Sequence, residues 1–545
     1  MCVGVCSMSK LNGNQLLVRA LEAQGVKKIF TIPGGQLVGL YDEIDKNKKL
    51  ELVVPRQEGA SALMACGYTL AGGQPGVVIS TVGAGVIYEL SGLIYAYQEQ
   101  IPLISISPQI QSWKIKPTQE SLQALDQDEL YAPLVKFNAI IYHSHRIPQL
   151  IARAYRSALA PPPGPVHLDI PLDVFYQPFR AKNLKQENFI LPGEKTRFTG
   201  KFAPDPEELE TARALLTKAK SPVAFLGSPL ARLPGCSELL GEFLEKRQIP
   251  AFSSSSGFSA LASGHRFFLG SMDTYEEERL ISLLSEADLL ICLEPDEEII
   301  ARVQKLIDLA KQIPMILLSE DPLLFQSFAP ITAQLWGSVE LSLKKLNQIM
   351  KESEPSSRSD WIEKLKAEKE KACQRVKEKY ASFRHKNLIH TLEVVSKIIK
   401  EEDFVVCEGK EASVLAKIYL KNYSPGRLVL LGEEAPLGSG FPLALGMKAS
   451  NPELRVFLLT DRKNFKYHSR ELQTQARYQL GICALVFPEK DKLAETEPDF
   501  SRLAQSLGVK GYTIQEPVEE INEKLFGEAL ELESGALLEI RGFQD

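Results

Sequence analysis

Hydrophobic and polar residues alternate along the chain between the spacing of an amphipathic helix and that of a buried strand. Residues 15–24 have helical spacing and end at Gly25, and the apolar run 28–32 predicts the first strand. The alternation continues through a helix that ends near Tyr97 and through predicted elements at 37–44, 50–54, 58–70, 76–81 and 102–107. Strands that alternate with helices over this length predict a parallel sheet with helices on both faces.

Two more regions repeat this pattern after polar separators. A proline-rich run at 161–165 ends the first region, and the polar stretch 181–206 predicts a linker. The second region contains predicted strands at 223–226, 289–293 and 315–318. A stretch rich in Lys, Glu and Ser predicts a solvated helix before the third region, which begins with the strand 404–407. We predict the α/β class, with three doubly wound parallel-sheet domains and one charged helical linker, in the order 9–180, 200–350, 351–386 (linker) and 387–545.

The composition agrees with about three globular domains and excludes several classes of protein. At roughly 100–200 residues per domain, 545 residues predict about three domains. Hydrophobic residues make up 44% and charged residues 24%, and no apolar run approaches the roughly 18 residues of a membrane span. The net charge of -6 gives no general attraction to nucleic acid. We therefore expect neither a membrane nor a nucleic acid as partner.

The cysteines and the first residues indicate a compartment. Eight cysteines occur without a CxxC motif, which predicts reduced thiols rather than a disulfide framework. The first residues lack the basic and apolar regions of a signal peptide, and both Met1 and Met8 are candidate start residues. These features predict a cytoplasmic protein.

The first candidate for chemistry is Glu58, at the junction of a predicted strand and helix. Alone it would be a first-turn glutamate that stabilises its helix by about 0.3–1 kcal/mol. Three glycine-containing turns of the same region, at 33–35, 67–68 and 81–85, are also expected at the carboxyl ends of strands. The carboxyl ends of parallel strands meet at one edge of a sheet, where α/β proteins bind ligands. The three segments therefore predict a binding site at that edge.

Short motifs in this order extend over the rest of the chain. In the first region they are 32–35, 55–58, 67–68, 76–79, 91–93, 101–103, 164–166 and 169–171, and in the third region 438–442 and 471–474. Together they resemble the thiamine-diphosphate enzymes, specifically the acetolactate synthase branch. The resemblance covers nearly the whole chain in that family's domain order. It implies a pyrimidine-binding domain, a central domain and a diphosphate-binding domain.

The resemblance also implies a cofactor, a reaction and site residues. The cofactor is thiamine diphosphate, the substrate is a 2-oxo acid, and Glu58 matches the catalytic glutamate that hydrogen-bonds the aminopyrimidine. Gln123 lies near the family's pocket glutamine. Residues matching the cofactor-binding positions are Pro33, Gly34, Gly35, Gly83, Gly409, Leu437, Gly438, Arg462 and Lys463. Because the family's sites form between two subunits, the resemblance implies a homodimer or homotetramer.

The magnesium motif of the family is not intact in this sequence. The family holds the diphosphate through Mg²⁺ bound by a Gly-Asp-Gly turn and an Asn-Asn pair, and oxygen ligands of this kind suit Mg²⁺. Here the turn reads Asp461-Arg462-Lys463, with Arg462 in place of the metal-binding aspartate, and the asparagine pair is replaced by Pro488-Glu489. The loop at 490–498 is short, and the family's pocket tryptophan has no counterpart. The sequence therefore predicts no magnesium site in the usual geometry.

Two interpretations of the altered turn remain open. Arg462 and Lys463 could bind a diphosphate directly, without metal, because two cations at a helix N-terminus favour an anion there. Alternatively, Arg462 and Glu489 bond to each other and fill the cavity, and this is the interpretation that we favour. Three functions follow: an active lyase or carboligase (transferase) on a 2-oxo acid, a catalytically silent relative, or a half-site partner in a hetero-oligomer with an intact paralogue.

The middle region offers no second ligand site by sequence. The acidic run 294–298 stands where some family members that carry FAD have a different turn, and no GxGxxG follows a strand, so FAD is not predicted. His143 and His145 lie two residues apart and lack accompanying ligands, and His468 is isolated in the third region. Histidines in such positions are more often surface or packing residues than metal ligands. No metal site is predicted.

Overall fold

The computed structural model contains three parallel six-stranded sheets, one in each predicted region. It describes residues 11–115, 123–179, 190–197, 200–233, 235–262, 264–309, 313–328, 330–350, 358–381, 383–421, 423–432, 435–488, 498–514 and 521–541. The predicted α/β class with three parallel-sheet domains is confirmed. Three parts of the chain that the sequence analysis discusses lie outside the described residues: Glu489, residues 490–497 of the loop 490–498, and residues 181–189, 198 and 199 of the linker 181–206. No helix in the described part of the chain has the length and apolar character that membrane crossing needs.

The first sheet has the strand order β2-β1-β3-β4-β6-β5. Its region consists of α1 (Gly13–Ala23), β1 (Lys28–Thr31), α2 (Val38–Asn47), β2 (Glu51–Val53), α3 (Glu58–Gly72), β3 (Gly76–Ile79), α4 (Ala84–Gln98), β4 (Leu103–Gln109), α5 (Gln127–Tyr131), β5 (Asn138–Ile140), α6 (Ile147–Leu159), β6 (Pro165–Pro171), α7 (Leu172–Tyr176) and α8 (Gly193–Thr196). A capping box between Asn12 and Gln15 starts α1. The strand residues of β3, β4 and β6 are buried throughout, as in parallel sheets covered on both faces.

The second sheet has the order β12-β11-β10-β7-β8-β9. Its region consists of α9 (Pro206–Lys218), β7 (Pro222–Leu226), α10 (Cys236–Arg247), β8 (Ala251–Ser253), β9 (Phe268–Ser271), α11 (Glu277–Leu284), β10 (Leu289–Leu293), α12 (Glu297–Leu309), β11 (Met315–Ser319), β12 (Ala333–Trp336), α13 (Val339–Ile349) and α14 (Ser359–Lys379). The last of these helices lies in the stretch for which the sequence predicts a charged helical linker. Its described residues include buried Trp361 and Leu365, so one face of this helix is not solvated.

The third sheet has the order β14-β13-β15-β16-β18-β17, which is the order of the first sheet repeated. Its region consists of α15 (Phe383–Ile398), β13 (Phe404–Glu408), α16 (Lys410–Tyr419), β14 (Leu428–Leu431), α17 (Gly440–Ser450), β15 (Val456–Asp461), α18 (Arg462–His468), α19 (Leu472–Arg477), β16 (Cys483–Phe487), α20 (Phe500–Ser506), β17 (Lys510–Ile514), α21 (Glu523–Glu531) and β18 (Ala536–Ile540). Every strand pairing in the three sheets is parallel.

The chain divides into two compact units. The first consists of Met1–Thr199, Pro442–Pro452 and Arg470–Tyr478, and the second of Gly200–Phe441, Glu453–Ser469 and Gln479–Asp545. The first unit has a hydrophobic core formed by the first sheet and its helices, and in the second unit one core includes residues of both the second and the third sheet. Two short segments of the third region therefore belong to the unit that contains Glu58.

The strand orders define where each sheet can bind a ligand. At one point in each sheet, its strand reversal, two neighbouring strands lead to connections that run toward opposite edges of the sheet. These strands are β1 and β3 in the first sheet, β7 and β10 in the second, and β13 and β15 in the third. Neighbouring crossovers leave a crevice at the carboxyl ends of the two strands at such a point. These three positions are where the strand orders predict ligand sites.

Candidate functional site

Glu58 is the first residue of α3, at the carboxyl edge of the first sheet. The turn expected at 67–68 is wrong, because both residues lie within the continuous helix α3. Its side chain is partly buried, and a Cβ placed on Gly85 would lie 3.3 Å from Glu58 Oε1, so the carboxylate lies over the turn that follows β3. Burial raises the pKa of Glu58, while a hydrogen bond to its own backbone amide and the charge of Arg470 act in the opposite direction. The result is a carboxyl group that can exchange a proton more readily near neutral pH than an exposed glutamate.

The turns after β1 and β3 are joined by a hydrogen-bond chain of glutamines. Thr81 Oγ1 donates to Gln36 Oε1 at 3.0 Å, and Gln36 Nε2 donates to Gln123 Oε1 at 2.6 Å. Gly34 is pressed against Thr81, since a Cβ at this glycine would lie 2.5 Å from Thr81 Oγ1. The structure thus brings Gln123 to the same edge as the Pro33-Gly34-Gly35 turn. Sequence reasoning missed Gln36, because a lone glutamine after a glycine turn carries no signal of its own.

The Gly83 turn is held from beneath by a buried glutamine. Gly83 begins α4 as its N-cap, and its backbone N–H donates to Gln127 Oε1 at 3.4 Å. Gln127 Nε2 in turn donates to Ser107 Oγ at 2.9 Å and to Asp169 Oδ1 at 2.5 Å. The turn that carries one of the predicted cofactor-binding glycines is therefore fixed to β4 and β6.

The loop that leads to Glu58 is held by the segment 470–478. Arg56 N donates to both carboxylate oxygens of Glu471, at 2.9 and 3.0 Å, and Val54 N donates to the hydroxyl of Tyr478 at 2.9 Å. Glu471 is fully buried, and burial raises its pKa to about 7. The first compact unit therefore contains a buried carboxylate that accepts the amide of Arg56, two residues before Glu58.

In the second unit, a cavity of about 440 Å³ opens at the strand reversal of the third sheet. Residues that follow β13 and β15 form its centre, and residues from the ends of neighbouring elements complete it. The cavity is lined by Leu388, Glu408, Gly409, Lys410, Glu411, Ala412, Gly432, Ala435, Leu437, Asp461, Lys463, Asn464, Phe487 and Pro488. Of the residues predicted for cofactor binding in this region, Gly409, Leu437 and Lys463 line the cavity.

Asp461 is occupied in organising this cavity. Its carboxylate caps α18 by accepting from Asn464 N at 2.8 Å, and Asn464 Nδ2 donates to both carboxylate oxygens at 3.0 Å. Gly409 has φ of +96°, and a Cβ there would lie 2.4 Å from Asp461 Oδ2, so only glycine suits the position. Gly438 N donates to Asn464 Oδ1 at 3.2 Å, which ties the Leu437-Gly438 turn to the same network.

The charges that face the cavity are mixed. Lys463 lies on its wall, and no carboxylate of the described residues forms an ion pair with it. Lys410 begins α16 beside it. Glu408 is fully buried, accepts from Gly440 N at 3.0 Å and Thr460 Oγ1 at 2.9 Å, and burial raises its pKa to about 7. Below that pH this carboxyl is largely neutral, and Lys410 and Lys463 then share the lining with the carboxylates of Glu411 and Asp461.

Arg462 lies next to Lys463 in sequence but has a different environment. Its guanidinium pairs with the buried carboxylate of Glu539, donates to the carbonyl of Pro498 at 2.7 Å, and lies over the ring of Phe500 at 4.8 Å. Arg462 is not among the residues that line the cavity. Its predicted partner Glu489 lies outside the described residues, so the predicted Arg462–Glu489 pair stays a prediction.

At the strand reversal of the second sheet, between β7 and β10, backbone amides donate to an acidic side chain of the chain itself. Asp296 Oδ2 accepts from Ser228 N at 2.8 Å, and its other oxygen accepts from Ile299 N at 3.2 Å. A Cβ on Gly227 would lie 1.7 Å from the carbonyl oxygen of Glu294, so the two strand ends are in close contact. The amides that could bind an anion here already have a carboxylate partner.

The isolated histidines have partners of other kinds. His143 and His145 stack on each other with ring centroids 5.5 Å apart, and His468 Nδ1 hydrogen-bonds the carbonyl of Gly438 at 2.9 Å. Across the described residues, no group of three or more His, Cys, Asp or Glu side chains is arranged to hold a metal ion.

The fold is that of a multidomain α/β protein, with candidate ligand sites at the strand ends of its first and third sheets. Residues 11–130 match the family model described as "Thiamine pyrophosphate enzyme, N-terminal TPP binding domain", and residues 209–346 match "Thiamine pyrophosphate enzyme, central domain". The chain belongs to the thiamine pyrophosphate enzyme family.

Individual relatives resemble the chain over nearly its full length. The acetolactate synthase large subunit of Haemophilus influenzae is 26% identical over 541 residues, which are 95% of this chain and 92% of that protein. The acetolactate synthase isozyme 3 large subunit of Escherichia coli is 26% identical over 549 residues, 96% of this chain and 93% of that protein. A probable acetolactate synthase large subunit of Methanococcus aeolicus is 26% identical over 550 residues, 94% of this chain and 89% of that protein. Within its family, the chain is acetolactate synthase-like.

Proposed function

We propose that the protein binds thiamine diphosphate and acts with it on a 2-oxo acid, as a lyase or as a carboligating transferase. The observation that carries the proposal is the cavity at the third sheet's strand reversal, because it presents Lys463 and Lys410 where the sequence lacks a magnesium motif. The diphosphate is held there directly by cations, without Mg²⁺ in the usual geometry. The names of the relatives support acetolactate synthase-like chemistry, while the choice of 2-oxo acid stays open.

The first compact unit fits the aminopyrimidine half of this cofactor. When bound, thiamine diphosphate supplies a nucleophilic carbon that adds to the substrate's carbonyl group and accepts the electrons left by decarboxylation. Glu58 contributes a partly buried carboxyl group with a raised pKa, suited to hold a proton against a ring nitrogen. Gln123, positioned by Gln36, presents an amide at the same edge for a polar group of cofactor or substrate.

The second unit fits an anion better than it fits a metal. Both oxygens of Asp461 accept from Asn464, which leaves this carboxylate a poor candidate for a magnesium ligand. The first turn of α16 adds backbone amides beside Lys410, and a helix N-terminus favours an anion. Three carboxyl groups of the described residues line the cavity, those of Glu408, Glu411 and Asp461. Burial raises the pKa of Glu408 to about 7, which reduces the negative charge that a diphosphate would meet below that pH.

Calorimetric titration with thiamine diphosphate, in Mg²⁺ and in a chelator, tests this proposal. We expect binding in both conditions and at least tenfold weaker binding in Lys463→Ala. Lys466→Ala is the matched control, because Lys466 is exposed on the same helix and does not line the cavity. Binding that requires Mg²⁺ would refute the metal-free anchor. The absence of heat under both conditions would refute cofactor binding and favour a catalytically silent relative or a half-site partner of an intact paralogue.

We propose that the central domain binds no FAD. Asp296 already accepts the amides at the strand reversal of the second sheet, so a flavin's diphosphate would meet a carboxylate there. A flavin absorption band that co-purifies with the protein would contradict this proposal.

We also propose that the chain forms a homodimer or a homotetramer. Helix α4 presents an exposed apolar face on one side, and a face of this kind marks an interaction surface. The residues that form it are Ile87, Tyr88, Ile94 and Tyr97. The relatives' names as large subunits support an assembly of several chains.

A further inference from the structure

Strand β2 leaves two backbone amides without a strand partner just before Glu58. It is the edge strand of the first sheet, and it ends at Val53, so the N–H groups of Val54 and Arg56 lie beyond its pairing with β1. Both find acceptors in the segment Arg470–Tyr478 of the same compact unit: Arg56 N bonds both oxygens of Glu471, and Val54 N bonds the hydroxyl of Tyr478. Buried or partly buried amides need such partners.

The start of helix α3 has no cap of its own. Its N-cap is Gln57, whose side chain makes no capping hydrogen bond, whereas a Ser, Thr, Asp or Asn would normally fix the first turn from within. The position of the first helical residue, Glu58, therefore depends on contacts to the preceding loop. Among those contacts, the one from Arg56 N to Glu471 is closest along the chain.

We propose that Glu471 is a positioning residue, which holds the amide of Arg56 and thereby sets where the carboxyl group of Glu58 lies and how buried it is. The inference rests on the proposed function of Glu58. Glu471 does not touch the reacting atoms, and it acts through the backbone of residues 56 and 57. A carboxylate that accepts one amide through both oxygens makes a charge-assisted hydrogen bond, which holds that amide more strongly than a neutral acceptor would.

The environment of Glu471 makes the strength of its hydrogen bond with the Arg56 amide depend on pH. It is fully buried, accepts a hydrogen bond from Thr474 Oγ1 at 2.6 Å, and is approached by the charges of Arg470 and Arg56. Burial outweighs these contacts and raises its pKa to about 7. A carboxylate accepts an amide more strongly than a carboxylic acid does, so the contact with Arg56 is strongest above that pH. Arg470 also lowers the pKa of Glu58 itself, which links the two carboxyl groups through one cation.

Amide hydrogen exchange on the cofactor-free protein tests the contact. In Glu471→Ala we expect the Arg56 amide to exchange at least tenfold faster, with β4 and β6 unchanged. After correction for intrinsic exchange, protection of this amide in the native sequence should fall below about pH 7, and in Glu471→Gln it should not change with pH. Glu294→Gln is the matched control, because Glu294 is a buried carboxyl that accepts Glu320 N at 2.7 Å in the other unit. Unchanged exchange of Arg56 in Glu471→Ala would overturn the inference.

A second measurement separates this inference from the proposed function. Carbodiimide labelling of Glu58, followed by peptide mass spectrometry over a range of pH, reports its pKa without cofactor. In Glu471→Ala we expect the midpoint to move down toward that of an exposed glutamate, because the released loop lets Glu58 into solvent. A midpoint unchanged from the native sequence would refute positioning. If instead the midpoint shifts while the native protein binds no thiamine diphosphate in the titration, positioning stands and the proposed function fails.

Discussion

The guanidinium of Arg462 is paired with the carboxylate of Glu539, a fully buried residue of β18. Glu539 also accepts from Ser501 N at 3.0 Å, so the pair joins α18, α20 and β18. Successive residues of a helix point about 100° apart, and this rotation separates Arg462 from Lys463. Arg462 therefore pairs with a buried carboxylate, whereas Lys463 lines the cavity. The arginine that the family resemblance aligns with a metal-binding aspartate thus has structural contacts that do not involve a ligand.

Removal of this arginine should destabilise the protein more than it weakens ligand binding. Arg462→Met leaves Glu539 buried with fewer partners, and breaking such a pair costs about 3 kcal/mol. Denaturant unfolding should show this loss in the unit that contains Arg462, whereas Arg502→Met should cost less than about 1 kcal/mol, since Arg502 is 85% exposed and pairs only at the surface. A stability of Arg462→Met equal to that of the control would show that the pair is not important for folding.

The fold could be predicted well from the sequence where strands are buried on both faces. The continuous apolar runs of β10 and β11 need burial on both sides, and the predicted bounds agree to within one residue. The edge strands β12 and β17 were not predicted, although the edge strand β2 lies within the predicted run 50–54. Strand β12 alternates buried and exposed residues, and β17 begins with exposed Lys510, so neither has the apolar run that marks a central strand. At the edge of a sheet only one side needs pairing, and polar residues are tolerated.

The site was predictable only where a motif has its own sequence signal. Glu58 at a strand–helix junction and the glycine turns at 33–35 and 81–85 are of this kind, and the structure places them at one edge. Gln36, Lys410 and Asn464 were missed because their roles arise from neighbours far along the chain. Glu471 was noticed as a family motif without a role, since nothing local shows that a residue 415 positions away donates an amide to it.

Replacement of Glu58 by glutamine should separate cofactor binding from proton transfer. Glu58→Gln keeps the shape of the side chain and removes its titration, so we expect the affinity for thiamine diphosphate to change less than about threefold while exchange of the cofactor's C2 proton slows at least a hundredfold. Calorimetry and NMR of the bound cofactor measure the two quantities. Glu43→Gln, which changes a carboxyl of α2 that pairs with Lys46, is a control that should alter neither. Exchange at the native rate in Glu58→Gln would remove the role proposed for this residue.

The exposed apolar face of α4 should be covered by a second copy of the chain. Tyr88 is the most exposed residue of that face, at 55%, so Tyr88→Lys places a charge where apolar contact is expected. Light scattering across a dilution series should show at least tenfold weaker self-association than for the native sequence. Tyr142→Lys is the control, since Tyr142 is 48% exposed outside α4. An assembly equally stable in Tyr88→Lys would exclude this face as the interface.

The stability of the second unit should decrease between about pH 6 and pH 9. Burial raises the pKa of Glu294 to about 8, above its ordinary value of 4.5. Because the folded state holds the proton more tightly, this carboxyl contributes stability that is fully present below pH 4.5 and is lost as the pH rises through about 8. Glu294→Gln resembles the neutral form and does not titrate, so we expect its stability relative to the native protein to increase by about 1–3 kcal/mol between pH 6 and pH 9. Denaturant unfolding at the two pH values measures this difference. Glu297→Gln, at a neighbouring exposed position, is the control and should leave the pH dependence of stability unchanged. An equally steep loss of stability in Glu294→Gln would assign the pH dependence to other groups. Glu408 would be the first of these to test, because its pKa is also raised, to about 7.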